Sequence, residues 1–311
     1  MSRPPKPRCG FTMVELLVVI GIIGLLMAIL MPALSGVKKR SKKAAELNNI
    51  RQVNFAWSAY AAANDSAAVP AYLDYNNNPN VFDKWDLFFE YPNHVTIPQD
   101  VAAPWTWRLM SYLDYNHEII HAYREEDDPN MDNMIAEASL VANEPAFGYN
   151  GYYTGGWWSM TDLDGSMRPL PRFYDAKDID DGHQLSVVVK SLGQIQKQSD
   201  YITFCSAGLR APGDYKRALD TDPGSFLVTP PNLAEEPQWQ AMRRPNNPAD
   251  RIVDAVTALA AQSYIPIGRY TGSAAILYAD GHADSQKPGT LEDARMWINI
   301  ANTRDFVHAE F

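Results

Sequence analysis

The stretch Gly10-Phe11-Thr12-Met13-Val14-Glu15 stands directly before an uncharged apolar run from Leu16 to Leu34, and this junction decides how the chain is organised. At about 1.5 Å per residue, the run covers most of a bilayer core of roughly 30 Å, so it predicts a membrane-spanning helix. A carboxylate at the mouth of such a helix costs free energy, which indicates that Glu15 has a positively charged partner. Three basic residues precede the junction: Arg3, Lys6 and Arg8.

Residues 8–17 resemble the cleavage and methylation site of type IV prepilins and type II secretion pseudopilins. In that family a membrane aspartyl peptidase, the prepilin peptidase, cuts after the glycine and methylates the new N-terminal phenylalanine. The resemblance implies a cut between Gly10 and Phe11. It also implies that Glu15, the fifth mature residue, pairs with the terminal amine of a neighbouring subunit during fibre assembly. Pro32 stands where many pilin helices kink.

An ordinary secretory signal is the alternative, with Ala33-Leu34-Ser35 as a small-residue cleavage site before Gly36. Its apolar core would be longer than the usual 7 to 15 residues, and Glu15 would have no role. The prepilin interpretation explains both features.

The charges that flank the span and the family resemblance predict opposite orientations in the membrane. The basic residues after it outnumber those before it, which favours a cytoplasmic location for the rest of the chain. The resemblance implies the opposite, with a short leader inside, a single pass through the inner membrane, and the head in the periplasm or in an extracellular fibre. The later basic residues, which would then lie at the outer interface, are Lys38, Lys39, Arg40, Lys42 and Lys43.

Composition favours one exported, acidic head. The net charge is −10, and removal of the three positive charges of the leader leaves −13, which argues against nucleic acid as a bulk partner. Cys9 would be lost with the leader, so Cys205 could form no intramolecular disulfide and is expected to be a small buried hydrophobic residue.

The helix is predicted to continue beyond the membrane as an amphipathic rod. Apolar side chains recur at spacings of three and four, whereas the polar residues mostly face elsewhere. Asn64-Asp65 is expected to end the helix, giving a rod of about 80 Å from Phe11 if it is unbroken. The apolar residues are Leu47, Ile50, Val53, Trp57 and Tyr60, and the polar ones are Lys42, Lys43, Glu46, Asn49 and Arg51.

The predicted fold class is α+β and pilin-like, with the long helix packed on an antiparallel sheet. Four parts are expected: a leader (1–10), a membrane and assembly half of the helix (11–34), an amphipathic half (35–64) and a globular head (65–311). Within the head the pattern predicts helices over 105–123, 130–142 and 291–301, strands over 147–153, 185–190 and 201–205, and a surface insertion over 208–247.

The C-terminal region resembles a signature found in the subset of these proteins abundant in planctomycetes, as do residues 48–53. The signature is a histidine, nine residues, then Asp-Gly. Here Asp280-Gly281 follows at the right spacing, but Tyr270 replaces the histidine. Residues 274–279 predict a short strand, and Asp280-Gly281 predicts a type I′ hairpin turn, in which both residues have positive φ. We therefore interpret Asp280 and Gly281 as a structural turn.

Two acidic stretches resemble oxygen-rich Ca²⁺ loops, and some secretion pseudopilins bind calcium in the head. Neither has the twelve-residue spacing of a calcium-binding loop, so no cofactor is expected and Ca²⁺ is only an option. The two stretches are Asp162–Gly165 and Asp178–His183, whereas the acidic run Glu125–Asp128 is typical of a solvated loop.

The run His117-Glu118-Ile119-Ile120-His121 matches the zinc-protease pattern, in which two histidines share a helical face and the glutamate activates water. Glu137 and Glu144 are candidate third ligands. Asp114-Tyr115-Asn116 precedes the run and is typical of a helix end, which argues against the zinc site.

Together these features predict a non-enzymatic, pseudopilin-like structural subunit. The implied partners are the prepilin peptidase, other pilin or pseudopilin subunits, the inner-membrane assembly machinery and the lipid bilayer. The alternative is a type IV pilus subunit for adhesion, motility or DNA uptake, which the same N-terminus would serve.

Overall fold

One long helix organises this computed structural model. Helix α1 spans Met13–Ala63, 51 residues, and Asn64 caps its C-terminus, so the predicted stop is confirmed. It continues through Pro32, and at about 1.5 Å per residue it is roughly 77 Å long. The residues that the structure describes are 12–74, 104–120, 141–142, 145–159, 177–180, 183–186, 188–210, 224–228, 230, 263–266, 268, 270, 272–287, 290–291, 293–304 and 306.

An antiparallel sheet covers the second half of α1. Its strand order is β2 (Phe147–Tyr149), β6 (Ile202–Arg210), β8 (Ala274–Tyr278) and β9 (Ala283–Gln286), and β7 (Ser263–Pro266) pairs with the far end of β6. Two smaller pairs lie outside this sheet. They are the parallel pair β1 (Tyr72–Asp74) and β3 (Trp157–Ser159), and the antiparallel pair β4 (Lys177–Asp180) and β5 (His183–Ser186).

The apolar stripe of α1 packs on this sheet as predicted. Ile50, Val53, Trp57 and Tyr60 are buried, and Leu47 packs against the same core at partial exposure. The sheet contributes alternate residues, because successive side chains of a strand point to opposite faces. In β8, Ala275 and Leu277 belong to the core beside α1. A long helix on an antiparallel sheet is the pilin-like α+β arrangement that the sequence predicted.

The opposite face of the sheet is covered by the C-terminal segment. Ala274, Ile276 and Tyr278 of β8 pack there with Cys205, which is buried as expected. Leu291, Trp297 and Ile298 close this second core. The segment is a 3₁₀ turn at Ala294–Met296 followed by turns, so the prediction of a closing helix over 291–301 was wrong.

The helix predicted over 105–123 is also wrong for residues 111–120, and residues 121–123 lie outside the described part of the chain. Helix α2 covers only Trp105–Met110, followed by 3₁₀ turns at Ser111–Leu113 and His117–Ile119. Between them Asp114 and Tyr115 have positive φ angles of 52° and 54°, which an α-helix does not allow. The helix therefore ends where the apolar spacing suggested continuity, at the residues Asp114-Tyr115-Asn116 that are typical of a helix end.

Two parts of the surface insertion predicted over 208–247 belong to the packed fold, at its start and around residues 224–228. Residues up to Arg210 belong to β6, which is longer than the predicted strand over 201–205. Residues 224–228 are buried, and the carbonyl of Phe226 accepts hydrogen bonds from the Tyr149 N–H and the Trp105 indole. This segment lies against β2, so that part of the prediction was wrong.

Two predicted strands are shorter than expected, and one predicted helix lies mostly outside the described residues. Strand β2 ends at Tyr149, because residues 151–153 form turns, and the strand predicted over 185–190 overlaps only the end of β5. Of the helix predicted over 130–142, only 141–142 lie within the described residues, where they are helical.

Candidate assembly and anchoring site

The first turn of α1 is closed by a reciprocal pair of hydrogen bonds. Thr12 is the N-cap, and its hydroxyl oxygen accepts from the Glu15 N–H at 3.2 Å. In return, Glu15 Oε2 accepts from the Thr12 N–H at 2.9 Å and from the Thr12 hydroxyl at 2.8 Å. Such a capping box satisfies two of the amide donors that a helix start leaves unpaired.

This geometry places a carboxylate at the start of the apolar span. Both described hydrogen bonds reach Oε2 of Glu15, so Oε1 receives none from the residues that the structure describes. The carboxylate also lies at the positive end of the helix dipole, which favours a negative charge there. Gly10 and Phe11 lie outside the described residues.

The exposed part of α1, residues 13–37, contributes no residue to the two cores of the described head. Its large apolar side chains are exposed, from Met13 at 87% to Val37 at 61%. Among the described residues, α1 is the one helix long and apolar enough to cross a membrane, and none of its most apolar window is buried. An apolar surface of this size needs lipid or other helices to cover it.

The second half of α1 is fixed to the sheet by a buried charge network that sequence reasoning missed. The Lys43 ammonium donates to Glu46 Oε2 at 2.8 Å and to the Ser273 carbonyl at 2.7 Å. Glu46 Oε1 accepts from the Ser206 hydroxyl at 2.7 Å, and that hydroxyl oxygen accepts from the Ala275 N–H at 2.8 Å.

Lys43 and Glu46 are each only 6% exposed, so the prediction that they face away from the core was wrong. Their i, i+3 spacing on a helix was visible in the sequence. Their partners on β6 and just before β8 were not, because they lie 160 and 230 residues away.

Closer to its C-terminus, α1 packs on the sheet through aromatic side chains. The Trp57 ring meets Phe204 edge-on with centroids 6.4 Å apart, and its indole N–H donates to the Tyr149 hydroxyl at 3.4 Å. Tyr149 stacks on Phe204 at 4.6 Å. Burial raises the pKa of the Tyr149 hydroxyl well above its usual value, so the hydroxyl stays protonated. These rings join α1 to the middle of the sheet.

The turn between β8 and β9 differs from the predicted type I′ turn. The Gly281 N–H donates to the Tyr278 carbonyl at 2.9 Å, and the Tyr278 N–H donates to the His282 carbonyl at 3.0 Å. Gly281 has a φ of +92°, whereas Asp280 is not among the residues with positive φ. These bonds describe a three-residue loop, with Ala279 and Asp280 at the centre and Gly281 in the left-handed position that follows. The type I′ prediction was wrong because only one residue, Gly281, has positive φ.

The β8–β9 loop lies close to Asn54 of α1, and Asp280 in the loop contacts His282, the residue that follows the loop. A Cβ on Gly281 would stand 2.7 Å from Asn54 Nδ2. Asp280 Oδ1 accepts from the His282 N–H at 3.1 Å and lies 2.6 Å from the His282 ring nitrogen Nδ1. Burial raises the pKa of Asp280, but its hydrogen bonds with His282 outweigh that effect and hold the pKa below its usual value. The His282 ring stacks on Tyr278 at 4.1 Å.

Tyr270, which stands where the signature has histidine, contacts the helix. The Lys42 ammonium lies 5.6 Å from the centroid of its ring, within the range of a cation–π interaction. The segment before β8 therefore touches two consecutive helix residues, through Tyr270 to Lys42 and through Ser273 to Lys43. The loop after β8 meets the same helix at Asn54.

The zinc-protease pattern does not form the helix that its chemistry needs. His117, Glu118 and Ile119 form a 3₁₀ turn capped by the Asn116 side chain, and the turn ends at Ile120. His121 and the candidate third ligands Glu137 and Glu144 lie outside the described residues. The His117 ring packs edge-on to Trp107 at 6.1 Å.

The acidic stretches give no calcium site in the described part of the chain. Asp178–Asp180 and His183 belong to the paired strands β4 and β5 rather than to a calcium-binding loop. Glu125–Asp128 and Asp162–Gly165 lie outside the described residues. Within the described ranges no three histidine, cysteine or acidic side chains group closely enough to hold a metal ion.

An open polar cleft of about 470 Å³ borders the hairpin. Tyr278 lines it, and burial, with lesser effects from nearby aspartates, raises the pKa of its hydroxyl to about 12. Arg295 and Asp293 also line it, and the Arg295 guanidinium donates to both oxygens of the Asp293 carboxylate, from Nε to Oδ1 at 2.9 Å and from Nη2 to Oδ2 at 2.6 Å. The cleft thus contains charges that already pair with each other.

Comparison with known proteins identifies the N-terminal segment. Residues 5–31 match the family described as the prokaryotic N-terminal methylation motif. The chain carries a prepilin-type N-terminus. The motif implies processing by a prepilin peptidase and assembly with pilin subunits, which as a class are generally non-enzymatic. No curated protein and no solved structure matches the chain significantly.

Proposed function

We propose that this protein is a pseudopilin-like structural subunit, cut by a prepilin peptidase between Gly10 and Phe11, and assembled into a periplasmic fibre of a secretion system. One observation carries the proposal. The two parts of α1 have opposite surroundings among the described residues, since the apolar side chains of residues 13–37 are exposed and the helix from Lys43 onwards is packed on the sheet.

The exposed part of α1 accounts for two states of such a subunit, one in the membrane before assembly and one in the fibre. From Leu16 to Val37 the helix rises about 32 Å, which matches a bilayer core of roughly 30 Å. The bilayer covers this surface before assembly, and the same half-helices of neighbouring subunits cover it in the fibre.

Glu15 supplies the specific contact in this proposal. Cleavage before Phe11 creates an amine one residue from the Thr12 cap, and Oε1 of Glu15 has no hydrogen bond from the described residues. A neighbour's amine at that oxygen neutralises the carboxylate inside an apolar bundle, where an unpaired charge is costly.

The test is Glu15→Val in cells that express the assembly machinery. Cleavage and membrane insertion are expected to continue, while recovery of the chain with other pilin-like subunits falls at least tenfold. Glu118→Val removes an exposed carboxylate from the head and serves as the matched control. Normal co-purification of Glu15→Val would overturn the assembly role of Glu15.

A pilus subunit for adhesion, motility or DNA uptake would use the same N-terminal residues. Labelling intact cells with an antibody against the head distinguishes the two machines. A secretion-type fibre leaves the head inaccessible until the outer barrier is opened, whereas an extracellular pilus exposes it on intact cells.

A further inference from the structure

The basic residues that follow the apolar span divide into two groups. Lys43 is buried in its network with Glu46, and Lys42 lies over the Tyr270 ring. The other three residues are exposed and have no hydrogen bond or ion pair with any described residue. We call these three the basic collar: Lys38, Lys39 and Arg40.

The basic collar begins where the apolar surface ends. Val37 is the last large exposed apolar residue of the span, about 32 Å along the axis from Leu16. Consecutive residues of an α-helix are about 100° apart, so the three side chains spread over roughly 200° of the circumference. Positive charge therefore surrounds more than half of the helix at one bilayer thickness from Glu15.

The head starts immediately beyond the basic collar. Lys43, the first buried residue of α1, lies about 9 Å along the axis from Val37. A bilayer has a polar layer of roughly 5–8 Å on each side of its hydrocarbon core. The basic collar thus falls within the depth of that layer, and the head meets its outer edge.

Charge favours one occupant for this surface. The mature chain would carry −13, so an acidic head close to an anionic membrane is repelled unless basic residues lie between them. Clusters of lysine and arginine next to a membrane span attract anionic lipids, with about 1 kcal/mol per residue.

We propose that the basic collar binds anionic phospholipid headgroups of the leaflet on the head side, and so holds the unassembled subunit at a fixed depth. The proposal rests on the membrane-anchored state in the proposed function. In the assembled fibre the same side chains leave the lipid, so lipid binding opposes extraction of the subunit.

The experiment uses the full chain with Val37→Trp, which places a fluorophore beside the basic collar at an exposed position. The chain is reconstituted in vesicles of phosphatidylglycerol and phosphatidylcholine, with bromine on one lipid at a time, and the parent chain is measured in parallel to subtract its own tryptophans. Brominated phosphatidylglycerol is expected to quench the added tryptophan more strongly at equal mole fraction. The free energy of one engaged basic residue corresponds to about a fivefold preference.

The test variant adds Lys38→Gln, Lys39→Gln and Arg40→Gln, and the preference is expected to disappear. A control removes three positive charges from the head by Lys190→Gln, Lys197→Gln and Lys287→Gln and should keep it. The preference should also be lost at about 1 M salt, where the Debye length is about 3 Å.

Two results would overturn the proposal: equal quenching by both lipids in the parent reporter chain, or an unchanged preference in the variant without the basic collar. Loss of the preference with inorganic phosphate, but not with chloride at equal ionic strength, would indicate a phosphate site instead. Failure here is separable from failure of the proposed function, because correct processing and co-assembly are read independently.

Discussion

The buried pair Lys43 and Glu46 gives the sharpest test of how the head is fixed to the helix. Replacing Glu46 by leucine removes the carboxylate that accepts from the Lys43 ammonium and from the Ser206 hydroxyl, and it leaves that ammonium buried beside the Ser273 carbonyl. Removing one member of a buried ion pair costs about 3–5 kcal/mol, because the other charge stays buried after it has lost an oppositely charged partner. We expect Glu46→Leu and Lys43→Met each to destabilise the head by this amount.

The double variant separates the ion pair from simple packing. Replacing both charges by apolar groups of similar size is often neutral or stabilising, so Lys43→Met with Glu46→Leu should be far more stable than the sum of the two single variants predicts. One kcal/mol shifts the melting temperature of a domain this size by about 2–4 °C, which makes each single loss on the order of 10 °C. Thermal unfolding of the full chain in detergent, followed by tryptophan fluorescence, measures it.

The matched controls are Lys39→Met and Glu118→Leu, which remove exposed charges and should stay within about 0.5 kcal/mol of the parent. Strict additivity of Lys43→Met and Glu46→Leu, or single losses no larger than those of the controls, would refute the role of this network in fixing the helix.

Two further predictions concern the β8–β9 loop. Gly281→Ala should destabilise the head by about 1–3 kcal/mol, because Gly281 has a positive φ and lies close to the Asn54 amide. Gly193→Ala is the control and should change the melting temperature little, because the nearest atom to a new Cβ there is 4.0 Å away. Equal effects of the two substitutions would contradict the loop geometry. The hydrogen bonds of Asp280 with His282 lower its pKa, so their stabilisation is present above the ordinary carboxyl pKa of about 4 and is lost as the pH falls through the lowered value. Asp280→Asn should therefore melt slightly lower than the parent near pH 6, and the difference should shrink as the pH falls below the ordinary carboxyl pKa of about 4; a difference that stays constant over this range would contradict the interaction.

The local pattern was sufficient to predict the parts of the fold that depend on neighbouring residues. The stripe through Ile50 and Trp57 showed which face of α1 is buried, and Asn64 marked the end of the helix. The strand before Asp280 and the reversal at Gly281 were also predictable, because turn residues act within a few positions. The turn type was not, since it depends on which central residue takes positive φ.

The remaining features depend on residues that are distant in sequence. Burial of Glu46 follows from the Ser206 hydroxyl on β6, which no helical periodicity reveals. The segment around Phe226 was predicted to be a surface insertion because it is rich in proline and polar residues, yet the Phe226 carbonyl accepts a hydrogen bond from the buried Trp105 indole. The break after α2 comes from a pair of left-handed residues, Asp114 and Tyr115, within the Asp114-Tyr115-Asn116 run that the sequence marked as a helix end although the apolar spacing continued past it.

The most direct test of the central claim is the intact mass of the protein isolated from the cell envelope. If the chain is a processed prepilin-type subunit, the mass should correspond to a chain that begins at Phe11 and carries one methyl group on its terminal amine. Replacing Gly10 by a bulky residue should leave the full precursor in the membrane. A wild-type chain that begins at Gly36, or one that keeps residues 1–10 where the peptidase is active, would contradict the account.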